Sequence, residues 1–133
     1  TTASQNDPNN FQFVHIFYDR LKISDAFRLL EPVIQKLNIS TLIRIKSNLL
    51  TQTDEIMQNE FHVDFPHKKG YENAKTAIYY LNDNNGKTIF EDGTTIDSVA
   101  NRMVIFDPTL KHTGTTCTDK KRRVVINFNY YVW

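Results

Sequence analysis

Beyond Asn38 the chain breaks into short runs rich in Ile, Val, Thr, Tyr and Phe, at 42–50, 61–65, 76–81, 88–90, 103–106 and 123–132. These residue types suit a pleated, half-buried surface, so each run reads as a strand. Polar turn signals separate them at 66–70, 82–86, 91–93, Asp107-Pro108 and Thr113-Gly114. All 4 glycines of the chain fall in those intervals, which marks the intervals as turns. Many short strands at regular spacing restrict the fold to a β-sandwich or barrel.

Helical spacing occurs only ahead of these runs. Ala26, Phe27, Leu30, Val33, Ile34 and Leu37 share one apolar face over 24–38, and Ser24 is placed to cap its start. Pro32 removes a backbone donor, which predicts a kink or two short helices meeting near Glu31. Weak alternation of Phe11, Phe13, His15 and Phe17 predicts a strand over 11–18, and His15 is read as structural. Residues 1–10 form a polar, loose lead-in.

At 133 residues one domain is expected over 1–133, with a helical brace at 24–38 and a β core at 40–133. A hydrophobic fraction of 40% supplies its core. The formal charge of +1 points to neither nucleic acid nor a membrane surface. A single cysteine, Cys117, excludes a disulfide framework within the chain and is read as a bystander. No apolar run has the length of a membrane span, and the opening residues are neither basic nor apolar. The cytoplasm is therefore expected, that of a host if the chain is phage-encoded.

Within Phe61-His62-Val63-Asp64-Phe65 the histidine and aspartate stand two apart, so a strand would turn both to one face. His112 follows a strand and the Asp107-Pro108 turn. Two histidines and a carboxylate that leave neighbouring positions open are the facial triad of non-haem Fe(II) oxygenases. A His-x-Asp pair alone is an ordinary feature of surface strands; the distal histidine and a basic residue entering the last strand give it weight. That residue comes from Lys120-Lys-Arg-Arg123. Lys120 and Lys121 read as a solvated turn, whereas one of Arg122 and Arg123 must face inward. A buried guanidinium needs an anion, and a carboxylate suits its geometry.

Together His62-Val-Asp64, Thr76-Ala-Ile-Tyr-Tyr-Leu-Asn82, Asn85-Gly86-Lys87-Thr88, His112 and the C-terminal arginine resemble an Fe(II)/2-oxoglutarate-dependent dioxygenase of the compact, prolyl 4-hydroxylase-like branch. The resemblance covers about 40–133. It implies a double-stranded β-helix with bracing helices. It also implies Fe(II), 2-oxoglutarate and O2, with ascorbate as a reductant, and hydroxylation coupled to conversion of 2-oxoglutarate to succinate.

By position, His62, Asp64 and His112 match the iron ligands. Tyr80 matches the tyrosine that bonds the 2-oxoglutarate carboxylate, with Thr76 and Ile78 on its face. Thr88 matches the inward residue of a Gly-Gly-x-Thr segment, although Asn85-Gly86 stands here for the glycine pair. Arg123 is chosen as anchor because it leaves Asn127 and Asn129 inside and Val124, Ile126 and Phe128 under the helices; Arg122 is the alternative. Asn127 joins Arg123, Tyr80, Ile78 and Thr88 as a cosubstrate-pocket residue.

A peptide or protein substrate hydroxylated on proline, and a monomer, are expected. The other classes are a nucleic-acid dealkylating oxygenase, supported by Lys68, Lys69 and 120–123, and a non-catalytic β-sandwich binding module. Lys46 and Asn48 on the 42–50 run face either the pocket or solvent, and His67 is read as a rim or lid residue.

Overall fold

The structure, a computed structural model, describes residues 12–67 and 69–133. The expected lead-in at 1–10, Phe11 and Lys68 lie outside the described residues. Strands β1 (Gln12–Asp19) and β2 (Lys22–Ile23) form a hairpin, followed by a 3-10 helix (Asp25–Leu30) and helix α1 (Glu31–Lys36). Then come β3 (Ile39–Thr51), β4 (Lys75–Tyr80), β5 (Asn84–Phe90), β6 (Thr95–Ser98), β7 (Met103–Phe106), β8 (His112–Gly114) and β9 (Arg122–Val132). The larger sheet runs β2-β1-β3-β9-β4-β7 and the smaller β6-β5-β8, with antiparallel pairing throughout.

Pro32 stands at the start of α1, where its missing N–H costs nothing, and the two short helices meet at Glu31. Ser24 occupies the cap position without capping; its hydroxyl bonds His15 Nε2 at 3.1 Å instead. The helices cover the outer face of the large sheet. Leu30 and Leu37 pack there with Ile45, Ala77, Ile126, Phe128 and Tyr130, while Val124 is only half-buried. A second cluster of Ile78, Tyr80, Phe106 and Val125 fills the space between the sheets, joined by Phe90 and Ile96. Alternation along β9 thus sends Ile126 and Phe128 outward and Arg123, Val125, Asn127 and Asn129 inward.

Three expectations need correction. Segment 61–65 is not a strand: a single bridge joins His62 to His112, with N–H to carbonyl distances of 2.9 and 3.0 Å, and Pro66 soon stops further pairing. The interval 82–86 is not wholly a turn, because β5 begins at Asn84. Gly86 and Gly114 lie inside strands β5 and β8, not in turns.

A tertiary contact explains those glycines. The Arg123 side chain crosses from the large sheet to the small one directly over them. A Cβ on Gly86 would stand 2.6 Å from Arg123 Cδ and 2.8 Å from the Thr116 carbonyl oxygen; one on Gly114 would stand 3.2 Å from Arg123 Nη1. Gly86→Ala is therefore expected to lower stability by about 1–3 kcal/mol, as overpacking does. Urea denaturation measures this, and an unchanged midpoint would show that the two sheets have slack at this point.

Candidate metal and cosubstrate site

Between the sheets opens a cavity of about 680 Å³. One wall is the inner face of the large sheet, where pairing aligns side chains in rows across strands. Arg44 pairs with Asn129 and Asn129 with Thr76; Lys46 pairs with Asn127 and Asn127 with Ile78; Leu50 pairs with Arg123. The other wall is Thr88 of β5 with His112, Thr113 and Gly114 of β8, and 59–64 line the mouth.

At the mouth His62, Asp64 and His112 converge, their ligand atoms all within 4.8 Å of one another. The bridge between His62 and His112 sets the two imidazoles side by side, with ring centroids 4.5 Å apart. Asp64 is carried to the same point because its N–H bonds the Pro108 carbonyl at 3.0 Å. Strand periodicity, the basis of the sequence argument, is replaced by these local anchors.

Each ligand is held by the atom a metal does not need. His112 Nδ1 bonds the Leu110 carbonyl at 2.9 Å, which leaves Nε2 turned to Asp64 Oδ1 at 3.7 Å. His62 Nδ1 lies 3.4 Å from the Glu60 carbonyl. Asp64 Oδ2 accepts from Thr76 Oγ1 at 2.7 Å and from Asn129 Nδ2 at 2.9 Å, so Oδ1 is the free oxygen. Burial pulls the His112 pKa below its usual value, favouring the neutral imidazole a metal requires. Two imidazoles and one carboxylate in this arrangement fit Fe(II) with positions to spare.

At the far end of the cavity stands Arg123, 2% exposed. Its Nε donates to Ser98 Oγ at 3.0 Å and its Nη2 to Thr88 Oγ1 at 3.3 Å, and its guanidinium carbon lies 5.9 Å from the Tyr80 ring centroid. Among the described residues no carboxylate pairs with it. Desolvation draws its pKa below the ordinary arginine value, the signature of a buried cation short of an anion. Thr88 Oγ1 also accepts the Tyr80 hydroxyl at 2.6 Å, so its own proton is left for an acceptor in the cavity. A carboxylate meets both demands.

Of the residues singled out in the sequence, Ile78, Thr88, His112, Arg123 and Asn127 line the cavity with His62 and Asp64. Tyr80 is fully buried behind Thr88, which takes its hydroxyl. Thr76, expected to line the pocket, instead grips Asp64. Arg122, Lys120 and Lys121 are exposed. Lys46 and Asn48 face the cavity, and Arg44 lies on the same wall. His67 stands apart, in a smaller cavity with Phe65 and Tyr71, whose rings stack at 4.2 Å. Cys117 is buried and its thiol pKa raised by that burial, an inert environment. Ser98 is not singled out by sequence reasoning, although a Thr-Ile-Asp-Ser run after the Glu91-Asp-Gly93 turn carries a strand signal, with Ile96 and Ser98 sharing a face. Asn129, expected only to face inward, bonds Asp64 directly.

Comparison with known proteins agrees with this geometry. No curated protein matches the chain in sequence. Among solved structures it resembles a prolyl-4-hydroxylase from Pseudomonas putida (13% identity, TM-score 0.54, covering 98% of this chain and 78% of that one). It also resembles an RmlC-like cupin from Desulfovibrio desulfuricans (11% identity, TM-score 0.54, 90% and 81% covered). A third is an HTH_3 family transcriptional regulator from Vibrio cholerae (11% identity, TM-score 0.51, 92% of this chain), of which the chain spans about half, 52%. These likenesses establish the fold, a double-stranded β-helix shared with cupins. Among the described residues no helix is long and apolar enough to cross a membrane.

Residues 50–131, more than half of the chain, match the sequence model of a family whose members use Fe(II), 2-oxoglutarate and O2. That span contains His62, Asp64, His112 and Arg123, and it places the chain in the 2OG-Fe(II) oxygenase superfamily.

Proposed function

We propose that this dioxygenase hydroxylates a prolyl residue in an extended peptide, converting 2-oxoglutarate to succinate and carbon dioxide. The observation that carries the oxygenase part is one cavity with a His-Asp-His group at its mouth and, at its end, a buried guanidinium that no carboxylate among the described residues pairs with. His62, Asp64 and His112 would hold Fe(II), which supplies oxidative chemistry with 2-oxoglutarate and dioxygen when bound.

The remaining roles belong to the chain itself. Arg123 binds the distal carboxylate of 2-oxoglutarate, and Thr88 donates its free proton to it. Tyr80 acts through Thr88, fixing the direction of that donor, and Ser98 fixes the plane of the guanidinium. Ile78 and Val125 exclude water along the cosubstrate's length. Thr76 and Asn129 hold Asp64 so that only Oδ1 is presented.

The proline assignment is supported by the resemblance of strand 76–82 to prolyl hydroxylases and by the Pseudomonas neighbour. The mouth is also open: Glu60, Phe61 and His62 are exposed, so a chain can lie across it and be gripped through its backbone.

Titration with Mn(II) in calorimetry is expected to give stoichiometric binding that His112→Ala abolishes and His67→Ala leaves nearly intact. Reversed behaviour of the two variants would overturn the ligand assignment. For the cosubstrate, loss of a buried charged partner costs about 2–5 kcal/mol, so Arg123→Ala weakens 2-oxoglutarate binding by roughly 30-fold or more. Arg122→Ala, on the exposed side, has a small effect; equal affinity in Arg123→Ala and wild type would remove Arg123 from its role. The substrate is read by mass spectrometry of proline peptides after incubation with Fe(II), 2-oxoglutarate and ascorbate. One added oxygen on proline is the expected product, whereas demethylation of a methylated oligonucleotide without it would replace the reading.

A further inference from the structure

We propose that the substrate peptide carries an acidic side chain next to its reacting residue, seated on Arg44 and Lys46; this deepens, and rests on, the peptide-oxygenase reading above. Both side chains project from β3 into the cavity, two residues apart on one face and so about 7 Å apart along the strand. Arg44 shares the row of Asn129, which bonds Asp64, and Lys46 the next row. The pair therefore flanks the metal position, at the opposite end of β3's inner face from Leu50 and the Arg123 row.

Charge accounting makes the pair conspicuous. A divalent metal, Asp64, 2-oxoglutarate and Arg123 together sum to zero. Arg44 and Lys46 stand outside that balance, both half-buried, and among the described residues neither is paired with a carboxylate. Arg44 has only a long 3.4 Å contact to Asn129 Oδ1. Lys46 feels both Arg44 and Asp64; Glu60, the other acid lining the cavity, is exposed at the mouth, and Asp19, opposite Arg44 on β1, lies 3.9 Å from Arg20. Burial and Arg44 together pull the Lys46 pKa down. An arriving carboxylate removes that repulsion.

The rest of the wall beside the two cations is polar but uncharged. Asn48 Oδ1 and Asn127 Oδ1 are buried in the same wall with no partner among the described residues. A peptide supplies a side-chain carboxylate for the cations on a backbone that can lie across the exposed mouth. A polyanionic strand would ask for more cations than this wall has and would meet Glu60 at the rim.

The test uses short fluorescent peptides centred on proline and flanked by Glu, Gln or Lys, with a matching set centred on alanine. Anisotropy is read on protein loaded with Mn(II) and 2-oxoglutarate. Glu-flanked peptides are expected to bind about tenfold tighter than Gln-flanked ones, with Lys-flanked weakest. The advantage should shrink with salt and fall to within about twofold in R44Q/K46Q. Lys46→Glu, a second variant against loss of fold, should reverse the preference toward Lys-flanked peptides. Equal binding of Glu and Gln peptides to the wild type overturns the proposal, as does a preference that survives both variants. So does a weakening of 2-oxoglutarate rather than of peptide in R44Q/K46Q, which would give the pair to the cosubstrate. Failure of the underlying reading looks different. A Glu preference without oxygen on proline leaves the acidic seat standing and removes proline. Neutral proline peptides hydroxylated as well as acidic ones keep proline and remove the seat.

Discussion

Burying a guanidinium among neutral hydroxyls sets terms that both sheets must meet. The Arg123 side chain leaves β9 and crosses to the small sheet, where its donors end on Ser98 Oγ and Thr88 Oγ1. A side chain of that length needs a lane, and Gly86 and Gly114 provide it by having no Cβ. Ser98 in turn donates to the Gly86 carbonyl at 2.8 Å, so the lane, the anchor and the guanidinium form one hydrogen-bonded unit. Desolvating an unpaired cation costs several kcal/mol. The fold carries that cost in advance, and under the proposed function a dicarboxylate entering the cavity would offset it. In the role proposed for Arg123, affinity for the cosubstrate would be stored as a destabilised cation rather than built from many weak contacts.

The same strand that positions Arg123 also positions the metal group. Asn129 lies on the same inner face of β9, and its amide bonds both Asp64 Oδ2 and Thr76 Oγ1 at 2.9 Å. A slip of one residue between β9 and its neighbours would turn Arg123, Asn127 and Asn129 outward together and put Ile126 and Phe128 in the cavity. The apolar outer cluster under the helices resists that slip, since Ile126, Phe128 and Tyr130 are buried there. Packing on one face of the sheet therefore guards chemistry on the other.

Alternation makes β9 legible from its residues alone. Val, Ile and Phe against Arg and Asn at period two define its register, including the choice of Arg123 over Arg122. Pro32 likewise announces the helix break, because its effect is local. Features set by partners distant in sequence are not legible in this way. Gly86 and Gly114 look like turn residues until the Arg123 side chain passes over them. Segment 61–65 has strand composition but only one rung, His62 with His112, so its geometry is owed to the partner. The β1–β2 hairpin turns on Arg20 and Leu21, both at positive φ (49° and 72°), with neither Gly nor Asn to signal it. Ser98 ends a short strand whose local pattern gives it a face but does not mark it as the partner of Arg123, 25 positions further on.

Function divides along the strands of the large sheet. On β9 and β4 the inner side chains are largely spent: Arg123 reaches across the sheets, Asn129 and Thr76 hold Asp64, and Val125, Ile78 and Tyr80 form the inner core. On β5 and β8, Thr88 and His112 are likewise engaged with protein partners. Strand β3 differs. Arg44, Lys46 and Asn48 face the same cavity, yet among the described residues no buried acid or firm side-chain contact claims them. Substitutions there would change the cavity wall without disturbing the His-Asp-His group, Arg123 or the core. Strands β9 and β4 thus carry Arg123 and the supports of Asp64, while β3, beside β9, presents polar side chains to the cavity that neither the His-Asp-His group nor Arg123 uses.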